Sequence, residues 1–353
     1  MPQTARDRAT QYVESVSNYN RRMDLNRDPT PGGTTFMVAN GLLATDSDDD
    51  LEAARDLVDR SVTAQVETGE LFFGDRDYYT GSCGFVTGLL EFYDRTGDER
   101  YLEAAEKQIE FVRDAPRVDN GGISHNKDAL ELWVDSMYIM VPPIAQLGST
   151  LEAEGRHDEA AQLYDEAAQQ LIAHSEWLQD AKTGLFRHSW SAEPNNYPEG
   201  SFWGRGNGWA AAGILEVLEQ LPDDHQQRDE LRDILHDQLE TVVSLQDASG
   251  FWWNVLDDQG SFLETSVSLI FAYVLHRSVD LGICPEQYRE HAERAVAGVT
   301  NQVNDEGVVT GATFVTLHDP DTQVASDDVF SISSYAQGWY LVTLSYCLEH
   351  DHI

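Results

Sequence analysis

Residues Gly208 to Leu245 read GWAAAGILEVLEQLPDDHQQRDELRDILHDQLETVVSL, two helical patterns of opposite character on either side of Pro222. GWAAAGILEVL is apolar or Gly/Ala-rich on most faces, the pattern of a helix buried all round. DELRDILHDQLETVVSL repeats its apolar residues at helical spacing with charges between them, the pattern of a helix with one face in solvent. Pro222 ends the first helix, because a proline cannot continue the ladder. One inner and one outer helix in sequence make a helical hairpin.

The same alternation runs outward in both directions. GSCGFVTGLLEFY, LWVDSMYIMVPPIAQL, FLETSVSLIFAYVL and SSYAQGWYLVTLSY are further inner candidates, and DEAAQLYDEAAQQLIAH is a typical outer one. Periodicity predicts helices over Thr4–Asn20, Thr34–Ala44, Asp49–Val66, Gly81–Arg95, Glu99–Arg113, Leu132–Glu152, His157–Trp177, Trp203–Leu221, Asp224–Leu245, Phe262–Leu281, Pro285–Val303 and Ser333–Glu349. The turns TGDE and EGR join two of the pairs, and DPTPGG separates the first two helices. Strand signal is confined to short pieces near Phe251–Leu256 and Val308–Val315. The expected fold is all-α: an (α/α)6 barrel, a toroid of six helical hairpins forming a single catalytic domain over residues 1–353. No sharp repeat motif recurs, which makes an open solenoid the weaker alternative.

Charge limits the partners. With 62 acidic and 23 basic residues the net charge is -39, and the acids are spread along the chain rather than gathered in a tail. This suits a solvated acidic surface of the kind found at high salt and argues against nucleic acid. No apolar run is long enough to span a membrane, and the start lacks the apolar core of a secretion signal. A cytoplasmic location is expected. Cys83, Cys284 and Cys347 fit neither a disulfide framework nor a zinc pattern, and no HExxH, CxxC or EF-hand loop occurs, so no metal is expected.

The unusual residues lie just before the inner helices, the ends that a toroid would open at one face. Gly184–Trp209, GLFRHSWSAEPNNYPEGSFWGRGNGW, holds His188, Trp190, Trp203, Arg205, Asn207 and Trp209 at the mouth of a helix. Helix N-termini favour anions, Arg presents a planar fork to a carboxylate, and indole faces suit a sugar ring. A glycine-packed helix start with core tryptophans is the alternative. Asp135, in LWVDSMYIMV, is the acid singled out: desolvation in an apolar helix would raise its pKa and suit it to proton donation. An N-cap role stands beside that reading. Glu264 in SFLETS is read first as a buried, hydrogen-bonded structural carboxylate. His125 and His188 each precede an inner helix in a polar loop.

HNKDALELWVDSMYIMVPPIAQL, GLFRHSW with SFWGRGNGWAAAGILEVLEQLP, LQDASGFWWNVLDDQGSFLETSVSLIFAY and SSYAQGWYLV together resemble the unsaturated uronyl hydrolases, glycoside hydrolase families 88 and 105. The rhamnogalacturonyl type is the nearer, and the resemblance covers about Gly81 to Tyr346. It implies an (α/α)6 barrel without metal or organic cofactor, acting on the 4,5-unsaturated uronic acid that lyases leave at the non-reducing end of oligosaccharides. It implies that Asp135 is the general acid and base, that His125, Trp133, His188, Trp203 and Trp209 contact substrate, and that Arg205, or the helix end beside it, holds the uronate. Glucuronyl-specific members carry an Asp in a DLGF-like motif; SCGF stands here, with Ser82 in that place, which favours the rhamnogalacturonyl type. The expected partner is an unsaturated uronyl oligosaccharide, with no nucleic acid or membrane, and the chain a monomer or homodimer. An unsaturated glucuronyl hydrolase, an inverting glycosidase pairing Asp135 with Glu264, an epimerase using His125 and His188, and a non-catalytic sugar-binding toroid are the rivals.

Overall fold

The computed structural model describes residues 4–22, 35–71, 77–313 and 330–353. Its elements are α1 (Ala5–Arg22), α2 (Thr35–Thr45), α3 (Asp48–Thr63), α4 (Gly84–Thr96), α5 (Glu99–Arg113), β1 (Glu131–Trp133), α6 (Ser136–Ile139), α7 (Val141–Ala153), α8 (His157–Leu178) and β2 (Ser189–Ser191). They continue with α9 (Gly204–Gln220), α10 (Arg228–Ser244), β3 (Trp252–Trp253), β4 (Leu263–Glu264), α11 (Thr265–Asp280), α12 (Arg289–Val299) and α13 (Ser334–Glu349). Among the described residues, no helix is long and apolar enough to cross a membrane. The DPTPGG break and residues 314–315 of the second strand signal lie outside them.

The helices pack as two units. The first comprises Met1–Ala54, Trp203–Gly208 and Val242–Ile353. In it α11 is buried along nearly its whole length, from Thr265 to Val279, while α12 buries only the stripe Ala292, Ala295, Val296 and Val299. α2 and α13 cross at a glycine contact: a Cβ on Gly338 would stand 2.0 Å from the Met37 carbonyl oxygen. No side chain fits there, so the backbones meet directly.

The second unit comprises Arg55–Phe202 and Trp209–Thr241. Buried α4 pairs with α5, which hides Tyr101, Leu102, Ala105, Ile109 and Val112 and exposes its charges. Gly97 closes α4 with a left-handed φ of 66°, its N–H bonded to Tyr93 O at 2.7 Å, as the TGDE turn suggests. Here too a glycine admits a crossing: a Cβ on Gly213 of α9 would lie 2.0 Å from Met137 O in α6.

One expected helix is three elements. Over Leu132–Glu152 the chain forms β1, the single turn α6, and α7, which starts afresh with Pro142 and Pro143 in its first turn. Prolines are tolerated there because the first N–H groups have no intrahelical partner. β1 pairs antiparallel with β2, Leu132 opposite Trp190 and Trp133 opposite Ser189. Leu132 is fully buried while Glu131 and Trp133 share the other face, the period of two that a strand imposes. A second short pairing, Trp252 with Glu264, precedes α11 and accounts for the strand signal near Phe251–Leu256.

Candidate active site

In the second unit the β1–β2 pairing brings sequence-distant polar groups together. Val134 N donates to His188 O at 2.9 Å, and one residue later Asp135 takes the N-cap position of α6. Its carboxylate makes no cap hydrogen bond. Instead Asp135 Oδ2 lies 3.2 Å from His188 Nε2, with the carboxylate 17% exposed and the imidazole 2%. An N-capping carboxylate ordinarily satisfies the orphan N–H groups of its helix; this one is turned to an imidazole.

Two rings wall the pair. Trp133 lies nearly parallel to His125, centroids 4.9 Å apart and planes 9° apart, and meets His188 edge to face at 5.0 Å and 74°. Tyr78 stands 4.9 Å from His125. His125 Nδ1 is within 2.8 Å of Thr80 Oγ1 and 2.9 Å of Ser136 Oγ. Burial pushes the His125 imidazole down to about 4, against the pull of the Asp135 charge, so it is neutral near pH 7. A ring held neutral between two hydroxyls is a poor acid, which weighs against an epimerase working through a His125–His188 pair. Glu199 also approaches His188; burial raises its pKa, and the His188 charge opposes that rise.

In the first unit Arg205 heads α9 with its side chain 1% exposed. Nη1 donates to Thr313 O at 2.7 Å and to Ser266 Oγ at 3.2 Å, and lies 3.7 Å from Glu264 Oε1. The guanidinium sits 4.5 Å over the Trp203 ring and 5.3 Å from that of Tyr335. Glu264 is the N-cap of α11: Oε2 accepts from Val267 N at 2.8 Å and Ser266 Oγ at 2.7 Å, and Oε1 accepts from Thr313 N at 3.0 Å. This is the buried structural carboxylate that the sequence favoured.

The remaining expected residues fall inside. Trp209 is 1% exposed and stacks on Tyr138 at 5.0 Å; Trp203 is 3% exposed beneath Arg205. Ser82 lies in the 3-10 turn Gly81–Cys83 before α4. Glu131 is the residue that sequence reading passed over. Its Oε2 accepts from Trp133 Nε1 at 2.8 Å and from Asn126 Nδ2 at 2.5 Å. The E-L-W alternation carried that signal, but a helical reading of the run sends Glu131 and Trp133 to different faces. Among the described residues no cluster of His, Cys, Asp and Glu could hold a metal, and the three cysteines are buried and form no disulfide.

The chain is mostly helical and of the (α/α)6 class, with a carboxyl group set against imidazole and indole rings. The fold is shared with a possible member of the GH105 family from Klebsiella pneumoniae, at TM-score 0.83 and 23% identity over 99% of this chain and 95% of that one. The chain belongs to Glycosyl Hydrolase Family 88, which it matches over residues 12–350, and is a glycosidase. It is 29% identical over 312 residues to the unsaturated rhamnogalacturonyl hydrolase YesR of Bacillus subtilis, covering 86% of this chain and 84% of that protein. An unsaturated 3S-rhamnoglycuronyl hydrolase from Alteromonas is 26% identical over 265 residues, 70% of this chain and 62% of the relative.

Proposed function

We propose that this glycosidase removes the 4,5-unsaturated uronic acid from the non-reducing end of lyase-generated oligosaccharides, with unsaturated galacturonyl-rhamnose its substrate. Family membership and the similarity to YesR support the reaction class. The observation that carries the reading is the Asp135 carboxyl group, excused from capping its helix and oriented by His188 beside Trp133.

The substrate ring is a vinyl ether, and its chemistry needs one acid that becomes a base. Asp135 donates its proton to C4, and positive charge develops at C5 and the ring oxygen. The resulting carboxylate then takes a proton from a water that attacks C5. The hemiketal so formed opens spontaneously, releasing the aglycone sugar and a keto-uronate. His188 Nε2, held at Oδ2, fixes the rotation of the carboxyl group through both steps. No second carboxylate at glycosidase spacing is required, and Glu264, with Oε2 bonded to the start of its own helix and Oε1 to Thr313 N, is ill suited to be one.

His125 and Trp133 supply the wall of the sugar site. Arg205 is the family's uronate-holding residue by its RGNGW motif, and Trp203 and Trp209 flank it in that run of sequence. Its bonds to Thr313 and Ser266 fix the guanidinium, with Glu264 Oε1 3.7 Å away, so a uronate carboxylate would share a pre-set cation with that buried acid. Ser82 in place of an Asp favours the rhamnogalacturonyl substrate. A cytoplasmic enzyme receiving such disaccharides fits the composition.

The test is incubation with lyase-generated pectin and glucuronan oligosaccharides, following loss of the enol-ether ultraviolet absorbance. Loss on the pectin disaccharide supports the proposal. Loss on the glucuronan product alone moves the chain to the glucuronyl type, and absorbance unchanged on both defeats the hydration mechanism.

A further inference from the structure

We propose that Glu131 is a positioning residue for the Asp135 carboxyl group, acting through the Trp133 indole; the proposal rests on the hydrolase reading above. Glu131 and Trp133 stand at i and i+2 on β1 and share a face, and Glu131 Oε2 accepts the indole N–H at 2.8 Å. The same oxygen accepts from Asn126 Nδ2 at 2.5 Å, and the Glu131 carbonyl accepts from His125 N at 2.7 Å. One residue therefore pins the indole and the loop that carries the ring stacked on it.

The consequences run along a chain of contacts. A charge-assisted bond to the indole N–H sets the rotation of Trp133. The pinned indole is parallel to His125 within 9° and meets His188 edge to face at 5.0 Å. His188 Nε2 then lies 3.2 Å from Asp135 Oδ2. If the indole turned, the imidazole would lose the surface that holds it square to the carboxyl group. Small displacements of a proton donor are costly in rate, about a hundredfold for an ångström. An acid that merely ends a strand would affect stability and leave turnover alone.

The experiment compares Glu131→Ala, Glu131→Gln, Trp133→Phe and the Glu131→Ala/Trp133→Phe double variant. The readouts are kcat and KM on unsaturated galacturonyl-rhamnose and the NMR shifts of the His125 and His188 ring protons, which sense the Trp133 ring current. Glu131→Ala should lower kcat about tenfold or more and move both sets of ring protons. Glu131→Gln, whose amide oxygen still accepts from both donors, should restore most of kcat and the native shifts. Trp133→Phe keeps a ring but loses the N–H, so it should also lower kcat, and the double variant should be no worse than the worse single one. Native ring shifts in Glu131→Ala overturn the proposal whatever the activity, and so does wild-type kcat with displaced rings. Should Glu131→Ala fail to fold, wild-type kcat in Trp133→Phe overturns it equally. A wild-type enzyme inactive on the disaccharide would sink the hydrolase reading, while the ring shifts still decide whether Glu131 sets the Trp133–His188 geometry.

Discussion

Glu264 and Asp135 both occupy the N-cap positions of helices, and the protein treats them oppositely. Glu264 spends its carboxylate on the start of α11: it accepts from Val267 N, Ser266 Oγ and Thr313 N, stands near Arg205, and is 1% exposed. Asp135 stands at the start of α6, makes no cap bond, keeps 17% exposure and faces His188. The difference lies in the residues just C-terminal to each acid. After Glu264 come Thr265 and Ser266, a hydroxyl and a full-length helix whose free N–H groups need an acceptor. After Asp135 comes a single turn, Ser136–Ile139, whose Ser136 hydroxyl bonds to His125 rather than to the acid. A capping acid holds a fold together; an acid released from capping can carry chemistry.

The largest effect expected is on turnover. Asp135→Asn should keep the fold and lower kcat by at least about a hundredfold, because the amide can neither donate to C4 nor take a proton from water. Melting temperature and kcat measured on one preparation check this. Near-normal turnover would erase the contrast between the two carboxylates.

Glu264→Ala should do the reverse. It leaves buried Arg205 beside lost acceptors, and breaking a buried ion pair from one side costs about 3–5 kcal/mol. Denaturant unfolding should show that loss, and Glu264→Gln, which keeps the hydrogen-bond acceptor, should recover part of it. Unchanged stability in Glu264→Ala would deny it the structural role. Arg205 separates the two duties: Arg205→Ala should raise KM strongly, and Arg205→Lys should only partly restore it, since an ammonium lacks the planar fork. Stability falling with KM unchanged would confine Arg205 to the Glu264 region.

Much of this contrast is legible in the sequence, and the rest fails for physical reasons. Inner and outer helices show because burial on all faces and burial on one face leave different periodicities. His125, Trp133, Asp135 and His188 stand out as polar or aromatic residues beside apolar runs, and the structure assembles them in one unit. β1 is hidden because LWV reads equally well as helix or strand, and only its pairing with β2 decides. Glu131 goes unseen with it. Thr313 as the partner of Arg205 is 108 residues away, and no local pattern reports so distant a contact.

Acid should strain the Asp135 region through its neutral histidine. Burial holds His125 down to about 4, and does the same to His174 in α8. In the unfolded chain both titrate near about 6.5. Between those values the unfolded chain binds the extra protons, so stability is complete above about pH 6.5 and falls as pH drops towards 4, by at most about 1.4 kcal/mol per pH unit for each ring. Denaturant midpoints at pH 7 and pH 5 check the sign. A His125→Gln variant should show a smaller drop between the two, and an undiminished drop would remove His125 from the linkage.

Salt gives the gentlest test and reaches both regions differently. At a net charge of -39 the folded chain repels itself, and counterions relieve that repulsion. Thermal stability should therefore rise with KCl well beyond physiological strength. The Arg205–Glu264 pair, each partner 1% exposed, lies beyond the reach of screening, whereas pairs such as Arg6–Asp351, 47% and 86% exposed, do not. Glu264→Gln should accordingly lie below the wild type by a constant amount across the salt series, with the same slope. Catalysis should respond at the acidic surface: screening eases the approach of an anionic uronate, so KM should fall as salt first rises while Asp135 chemistry, read as kcat, stays level. Unfolding and initial rates measured over one salt series separate these trends. A Glu264→Gln deficit that closes in molar salt would mean that the buried pair is open to solvent after all, and a wild type equally stable in dilute buffer and molar salt would defeat the halophilic reading without touching Asp135.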